Sequence, residues 1–583
     1  ENLNLFLPFA SENEEPLSLR ANVVSAEVAA NAGVPAMWGV NAYVEIDYDL
    51  SSAELTGLAE VQSDEFSIKL PNLFVDRWDY SYVNGSVGFH LNNDSGQELR
   101  LVSGIIVAES EAVDGRVQFS VVSGTDTAGD GKSELVLLIG AQRVDAEYKA
   151  LYLPLAPNVN PGLRNVMQWL DGAILDGTVF DSGVIYRGST MRGAKSEEKT
   201  FQSYYYLSDG VINFSDDWPN LEALNAAVLT NNNDIDIEVL SGGSADLDLS
   251  GVKGDVRRNE QDESWLTVAG TTSGLTARGL SYLQNIPVSA ALRNTFSDWQ
   301  AVGDFSALID VRVPLNRPEY TTDVDLNIVL ADNDFFIPDY QLQFEQVNGP
   351  VIFSTRTGLQ ESRLLAKLFN EDVQLDLSSQ LFSGELDTIR VDANGSAAPE
   401  ELIDWPMQSG FIRDMLAQAD GTITYNANLN LQLNSNDVSN HLLINTDMRG
   451  VSLELPEPFA KTEAEVYPLA IDLSFGVGGQ SVAGTFGSQL SYDFVLGAPG
   501  IDHGVLFLGD NSVDLTNLLA ADTPGLAIIG ELDRFKFEEW YGLLGRLSSV
   551  GSSSDTFNEQ IAFADLALGT LEMYGQELGA VDV

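Results

Sequence analysis

Residues Thr422 to Leu433 read TITYNANLNLQL, and the stretch alternates without a break. Ile423, Tyr425, Ala427, Leu429, Leu431 and Leu433 fall on one parity; Thr422, Thr424, Asn426, Asn428, Asn430 and Gln432 fall on the other. Successive side chains of a strand point to opposite faces of a sheet, so the pattern predicts a long strand with one apolar and one hydrated face. The same pattern returns at Asp234 to Val239 (Ile235, Ile237, Val239), Ala245 to Leu249 (Leu247, Leu249), Asp323 to Leu330 (Val324, Leu326, Ile328) and Val373 to Leu377. Antiparallel sheets with one solvated face read this way, whereas buried parallel strands read as continuous apolar runs. The expected fold class is mostly β, with antiparallel strands.

At 583 residues the chain exceeds the size at which single cores stop growing, so it holds several domains or one elongated repetitive body. Only Asp126 to Ser133 and Ser549 to Thr556 resemble linkers, and both are short. One continuous region over residues 1–583 is therefore expected, with each part packing on its neighbours. Four helical stretches punctuate it: Asn158 to Ile174, Gly274 to Leu283, Pro399 to Ala419 and Phe537 to Leu547. In the first, Asn160 is placed to cap and Pro161 to open the helix; in the third, Pro406 must kink or divide it. These stretches mark out sub-segments 1–157, 158–273, 274–398, 399–536 and 537–583.

The charge excludes some functions. There are 86 acidic against 30 basic residues, a net charge of -56 spread along the chain. Such a surface repels phosphate backbones, so nucleic acid is not an expected partner, and it suits a marine or halotolerant source. With no cysteine, disulfides, thiolate metal sites and a cysteine nucleophile are ruled out. No run approaches the eighteen or so apolar residues of a membrane span, and no signal peptide is present. The chain opens at Glu1 without an initiator Met and reads as an internal or processed piece, any targeting segment lying upstream.

Enzyme motifs are thin. His90, His441 and His503 are the only histidines, far apart in sequence, and read as structural or surface residues. Gly131, Lys132 and Ser133 form half of a phosphate loop without its first glycine and read as a turn. Asp126 to Glu134 (DTAGDGKSE) resembles a calcium loop in which Asp126, Asp130 and Glu134 would be the ligands, although Ala128 stands where another is needed. A solvated hairpin loop is the simpler reading. Trp169, Trp218, Trp265, Trp299, Trp405 and Trp540 are candidates for stacking on sugars, but their neighbours, such as Pro219 and Pro406, favour packing at sheet corners.

A one-sided sheet must cover its apolar face with a second sheet, or curl into a trough that something else fills. Several segments bear on the choice. GVSLELPEPFAK (Gly450 to Lys461) is the most specific; YLPL with MQWLDGAILDG (Tyr152 to Gly177) and DGVINFSDDWPNLEALNA (Asp209 to Ala226) precede it, followed by VRVPL (Val311 to Leu315) and VNGPVIFSTRTGL (Val347 to Leu359). PGLAIIGELDRFKFEEWYGLL (Pro524 to Leu544) closes the set. In this order they resemble the YhdP branch of the AsmA-like envelope proteins of Gram-negative bacteria.

That resemblance implies a long, twisted, taco-shaped β groove that carries phospholipid between the inner and outer membranes. It also implies a periplasmic location with an inner-membrane anchor and a carboxy-terminal part outside this chain, no cofactor, and no enzymatic activity. Ile235, Ile237, Val239, Leu247, Leu249, Val324, Leu326, Ile328, Ile423, Tyr425, Leu429, Leu431 and Leu433 would then line the groove against acyl chains. Two alternatives stay open: an envelope-assembly factor that binds lipid without moving it, and a calcium-dependent adhesin or carbohydrate-binding protein. Thermal melting separates the last from the others. An adhesin gains stability with calcium, whereas a lipid trough is expected to respond to phospholipid and not to calcium.

Overall fold

The alternating stretches are strands, and most pair with the strands next to them in sequence. In the computed structural model of the chain, the residues described are 2–8, 15–30, 34–92, 98–125, 131–191, 193–261, 263–286, 290–315, 320–383, 385–406, 413, 415–433, 440–475, 479–497, 500–509, 524–542 and 561–583. They are mostly strand with a few short helices. The chain divides into one unit of residues 1–272, 285–287 and 310–322, and another of 273–284, 288–309 and 323–583.

In the first unit, antiparallel strands follow one another from Leu3–Phe6 to Ser264–Leu275. Leu19, Ile46, Gly57, Phe89, Leu101 and Val121 stand directly opposite one another across six successive strands. Directly paired residues project from the same face, so an apolar parity in one strand is carried to the next. The helix Pro161–Ala173 forms where expected, with the Asn160 side chain accepting from the Gly162 N–H at 2.9 Å and Pro161 in its first turn.

The second unit repeats the arrangement around the strand Ile423–Gln432. It also departs from the antiparallel expectation near its end. Gly500–Leu508 pairs parallel with Gly525–Leu532, which pairs parallel with Ile561–Leu568. The reason is visible in the run GLAIIG, apolar on both parities, with Leu526 and Ala527 both buried.

The helices differ from expectation in detail. Thr276–Gln284 is helical as expected, but a second helix, Ala290–Phe296, follows it. In the third stretch Pro399–Asp404 is helical and ends just before Pro406, residues 413, 415 and 416 are helical again, and Ala419 starts a strand, Ala419–Gly421, paired with Val451–Leu453. Residues 537–542 are helical, and the remainder of the fourth stretch lies outside the described residues. Gly131, Lys132 and Ser133 are not a turn: they begin the strand Gly131–Asp145, which closes on the preceding strand at Thr125 opposite Gly131. The alternation at Ala245 to Leu249 is only in part a strand, Leu247–Asp248. Ala245 and Asp246 both have positive φ, 46° and 68°, and form a two-residue hairpin that pairs Ser244 with Leu247.

β-Bulges recur along both units. Between Val23 and Ala26 the strand Leu17–Val28 carries one residue more than its partner, with Ser25 at φ 48°. The same occurs between Leu330 and Asn333, with Asp332 at φ 55°, and between Phe344 and Val347, with Gln346 at φ 52°. A bulge bends its strand and strengthens the local twist. Side chains from the neighbouring strand satisfy the freed N–H groups: Asn41 accepts from Ser25 N (2.8 Å), Asn348 from Asp332 N (2.9 Å) and Asp334 from Gln346 N (2.9 Å).

Beside these bulges sits the buried cluster of Leu330, Val347, Leu364, Ala366, Leu368 and Val373. Asn333, fully buried next to it, donates to Asp304 O at 2.8 Å and Ala331 O at 3.2 Å and accepts from the Thr276 hydroxyl. Asn333→Ala strands these partners, and each unsatisfied buried group costs about 1–3 kcal/mol. Urea unfolding is expected to show a loss of at least that size, whereas Asn327→Ala on the exposed face should leave stability nearly unchanged.

Candidate functional site

The apolar face of the second unit can be read along its rungs. Leu377, Val391, Leu429, Leu442, Leu473 and Val482 pair in order across six strands. One rung over, Leu375, Ala393, Ala427, Ile444 and Ile471 do the same. Ile423 and Leu431 lie opposite Ala397 and Ile389, Tyr425 lies opposite Gly395, and Leu433 extends just past the strand, its N–H donating to Asp387 O at 2.8 Å. On the strand Asp323–Ile337, Leu326 and Ile328 face Phe353 and Val351, and Val324 shares their parity.

In the first unit, Ile237 stands between Val228 and Gly254, Ile235 between Thr230 and Val256, and Val239 opposite Ala226. Leu247 is buried at the hairpin. Leu249 lies beyond the strand in the following turn, its N–H donating to Gly242 O at 3.0 Å, so its parity does not carry the meaning read from sequence.

These side chains stop short of burial. Ile423, Tyr425, Leu429, Leu431 and Leu433 are half-buried, as are Ile235, Ile237, Val324, Leu326 and Ile328; Ala427, Val239 and Leu247 are buried. Among the described residues, the sheets outside the long meanders are Ala419–Gly421 with Val451–Leu453, and Phe535–Lys536 with Leu571–Met573 and Gln576–Leu578. Neither has the size of a second layer.

The opposite face takes the charge. Asn394, Asn426 and Asn445 form one rung, with Asn426 donating to Asn394; Asp392 lies opposite Asn428 and accepts from it. Asp376 and Asp392 are direct neighbours, a repulsive pair relieved by Arg363 (Nε to Asp376, 2.7 Å) and Arg390 (Nε to Asp392, 2.9 Å). The Arg363 hydrogen bond, helped by Gln374, holds the Asp376 carboxyl below the usual range.

Where the sheet turns parallel, the apolar face is closed. Phe459, from the segment Gly450 to Lys461, is buried with Leu508, Leu532 and Leu568, and Trp540 packs edge-on to Phe459 at 5.9 Å. Lys536 reaches Glu457 at 3.7 Å and Glu539 at 3.2 Å, tying the segment to the helical turn that carries Trp540. Lys461, only 4% exposed, donates to Val451 O at 2.5 Å and Thr462 O at 3.0 Å. Sequence reasoning marked this segment as distinctive but did not foresee its covering role, because Phe459 and Trp540 are far apart in the chain.

The other candidates do not converge. His90, His441 and His503 sit beside Glu54 (3.8 Å), Asp472 (3.3 Å) and Asp502 (3.0 Å) respectively. Asp126 and Asp130 lie outside the described residues, Glu134 lies 3.8 Å from Lys132, and the described residues hold no cluster of three metal-ligating side chains. Trp405 packs against Phe369 and donates to Tyr340 O at 2.9 Å, and Trp299 packs against Phe296 and Phe335. Trp218 lies against Phe214. Trp265 stacks on Tyr320, and the Arg312 guanidinium lies over its ring. Trp169 is half-exposed on its helix. Among the described residues, no helix is long and apolar enough to cross a membrane.

The meander thus has one apolar and one polar face, and its apolar rungs are half-buried. The family model described as YhdP protein matches residues 5–583. The chain belongs to the YhdP family. A relative, the intermembrane phospholipid transporter YhdP of Escherichia coli (strain K12), is 24% identical over 405 residues, which is 67% of this chain and 29% of the relative. The chain thus spans less than a third of that protein. No solved structure matches.

Lys461 gives a pH test. Burial, the largest influence, holds its ammonium below the usual lysine value against the opposing pull of Glu465, Asp447 and Glu463. The unfolded chain therefore binds this proton more tightly than the folded one. Stability from this group should rise as pH climbs through the folded value towards the ordinary one. Urea melts across the alkaline range are expected to show that rise, and Lys461→Met should remove it; an unchanged slope in the variant would refute the assignment.

Proposed function

We propose that this chain is a periplasmic segment of an inner-membrane-anchored, bridge-like phospholipid transporter, and that its apolar face carries acyl chains between the inner and outer membranes. The anchor and the contacts with both membranes would lie in parts of the protein beyond this chain. The observation that carries the reading is the row from Leu377 to Val482, apolar in each of six strands, with no separate sheet among the described residues large enough to form a second layer. Family membership and the relative's printed activity support it.

The physical case is one of continuity. A buried methylene is worth about 0.8 kcal/mol, so a sixteen-carbon chain loses roughly 13 kcal/mol on leaving an apolar surface for water. A face that stays apolar from rung to rung lets the chain slide without meeting that barrier, while the headgroup stays hydrated. No side chain performs chemistry in this scheme, and no cofactor is required. The acidic face takes no part in holding lipid; its charge keeps the body soluble and away from anionic surfaces.

The test is positional. With a photo-crosslinker at Leu429, phospholipid should be captured from vesicles; at Asn428, one residue away on the wet face, capture should fall to background. Mass spectrometry identifies the captured species. Leu429→Asp together with Leu431→Asp should reduce capture at the neighbouring Val391 position by about tenfold, the loss of two methylene contacts. Capture at Asn428 and not at Leu429 would overturn the facing assignment.

A further inference from the structure

Four glycines on the apolar faces share one peculiarity. Gly57, Gly395, Gly484 and Gly504 each stand directly opposite an aromatic residue: Phe89, Tyr425, Tyr492 and Phe494. In each pair the ring lies over the glycine. A methyl group placed on Gly57 would sit 2.2 Å from Phe89 Cζ; on Gly484, 2.5 Å from the Tyr492 hydroxyl; on Gly504, 2.6 Å from Phe494 Cδ1.

One of the rings reaches across a whole strand, and two more lie over a glycine that is itself packed against the strand beyond. The Tyr492 hydroxyl donates to Ala470 O at 3.3 Å, and Ala470 belongs to the strand beyond the one that holds Gly484. A methyl on Gly57 would meet both the Phe89 ring and Glu45 O, again on the far strand. On Gly395 it would meet the Tyr425 hydroxyl at 2.8 Å and Val373, from the strand beyond, at 3.2 Å. Side chains in a sheet otherwise stand roughly perpendicular to it. Here the missing Cβ lets a large ring recline along the sheet, where it adds apolar area without adding height.

We propose that these glycine–aromatic pairs fix the depth of the acyl-chain path, making Gly57, Gly395, Gly484 and Gly504 the positions that decide how bulky a chain can pass. This rests on the reading of the apolar face as a lipid path. Tyr425 fits the role: its hydroxyl is buried, has no hydrogen-bond partner among the described residues, and is pushed up to about 12 by burial. It is therefore held as an apolar paving piece and not as a group that recognises a headgroup.

Gly395 is the position to test, because an added Cβ meets only side-chain atoms within 3.2 Å and its backbone is ordinary strand. With a photo-crosslinker at Ala427 and phospholipid vesicles as donor, Gly395→Val should lift the Tyr425 ring and cut lipid capture by about tenfold, two methylene contacts denied. Gly395→Ala should give a smaller loss in the same direction and serves if the valine variant does not fold. Adding Tyr425→Ala to Gly395→Val should recover capture relative to Gly395→Val alone, because no ring is left to lift.

Undiminished capture in both glycine variants overturns the proposal, as does a Gly395→Val, Tyr425→Ala double variant that captures no more lipid than Gly395→Val. Absence of capture by the unmodified chain would instead remove the lipid-path reading, and this inference with it.

Discussion

The structure depends on the rule that directly paired residues in neighbouring strands share a face. One strand with apolar residues at alternate positions decides little. When Leu429 is locked opposite Val391 and Leu442, and Leu442 opposite Leu473, the parity of one strand becomes the parity of the sheet. A slip of one residue anywhere would put leucines in line with asparagines and turn both faces into mixtures. The asparagine rung of Asn394, Asn426 and Asn445 is as much a part of this register as the leucines, since it makes the wet face cohere by hydrogen bonds.

The bulges are where that rule is adjusted. Each adds one residue to a strand, so the apolar set changes from odd to even numbers or back while staying on the same side. In Leu17–Val28 the inward residues Leu19, Ala21 and Val23 give way to Ala26 and Val28 after Ser25; in Asp323–Ile337, Ile328 and Leu330 give way to Asn333 and Phe335 after Asp332. The backbone bends at these points without losing its sidedness, and Asn and Asp side chains from adjacent strands take up the displaced N–H groups.

This explains what could be read from the sequence and what could not. The strand type, the apolar parity and the helix at Pro161–Ala173 were legible, because period two and an Asn-Pro start are local signals. Strand length was not. The alternation at Asp323 ends at Leu330 in the sequence, yet the strand runs to Ile337, since the bulge shifts the period by one and hides the continuation. At Ala245 to Leu249 the opposite occurred: alternation was mimicked by a hairpin whose two turn residues have positive φ. The parallel strands and the burial of Phe459 beneath Trp540 depend on pairings between distant segments, about which local periodicity is silent.

A protein that buries little of its apolar face must find stability elsewhere, and here the meander supplies it. Each strand hydrogen-bonds to strands close in sequence, so the chain is held by neighbour contacts in the manner of a repeat protein and needs no central core. Among the described residues, buried clusters lie beside the bulges of Asp323–Ile337, at the parallel end, and around Met448, Val451 and Leu453. Between them the leucine rungs contribute only part of the burial they would contribute in a closed sandwich. On the function proposed above, that shortfall is what a lipid would use: apolar area left half-covered by the fold is area that an acyl chain would cover.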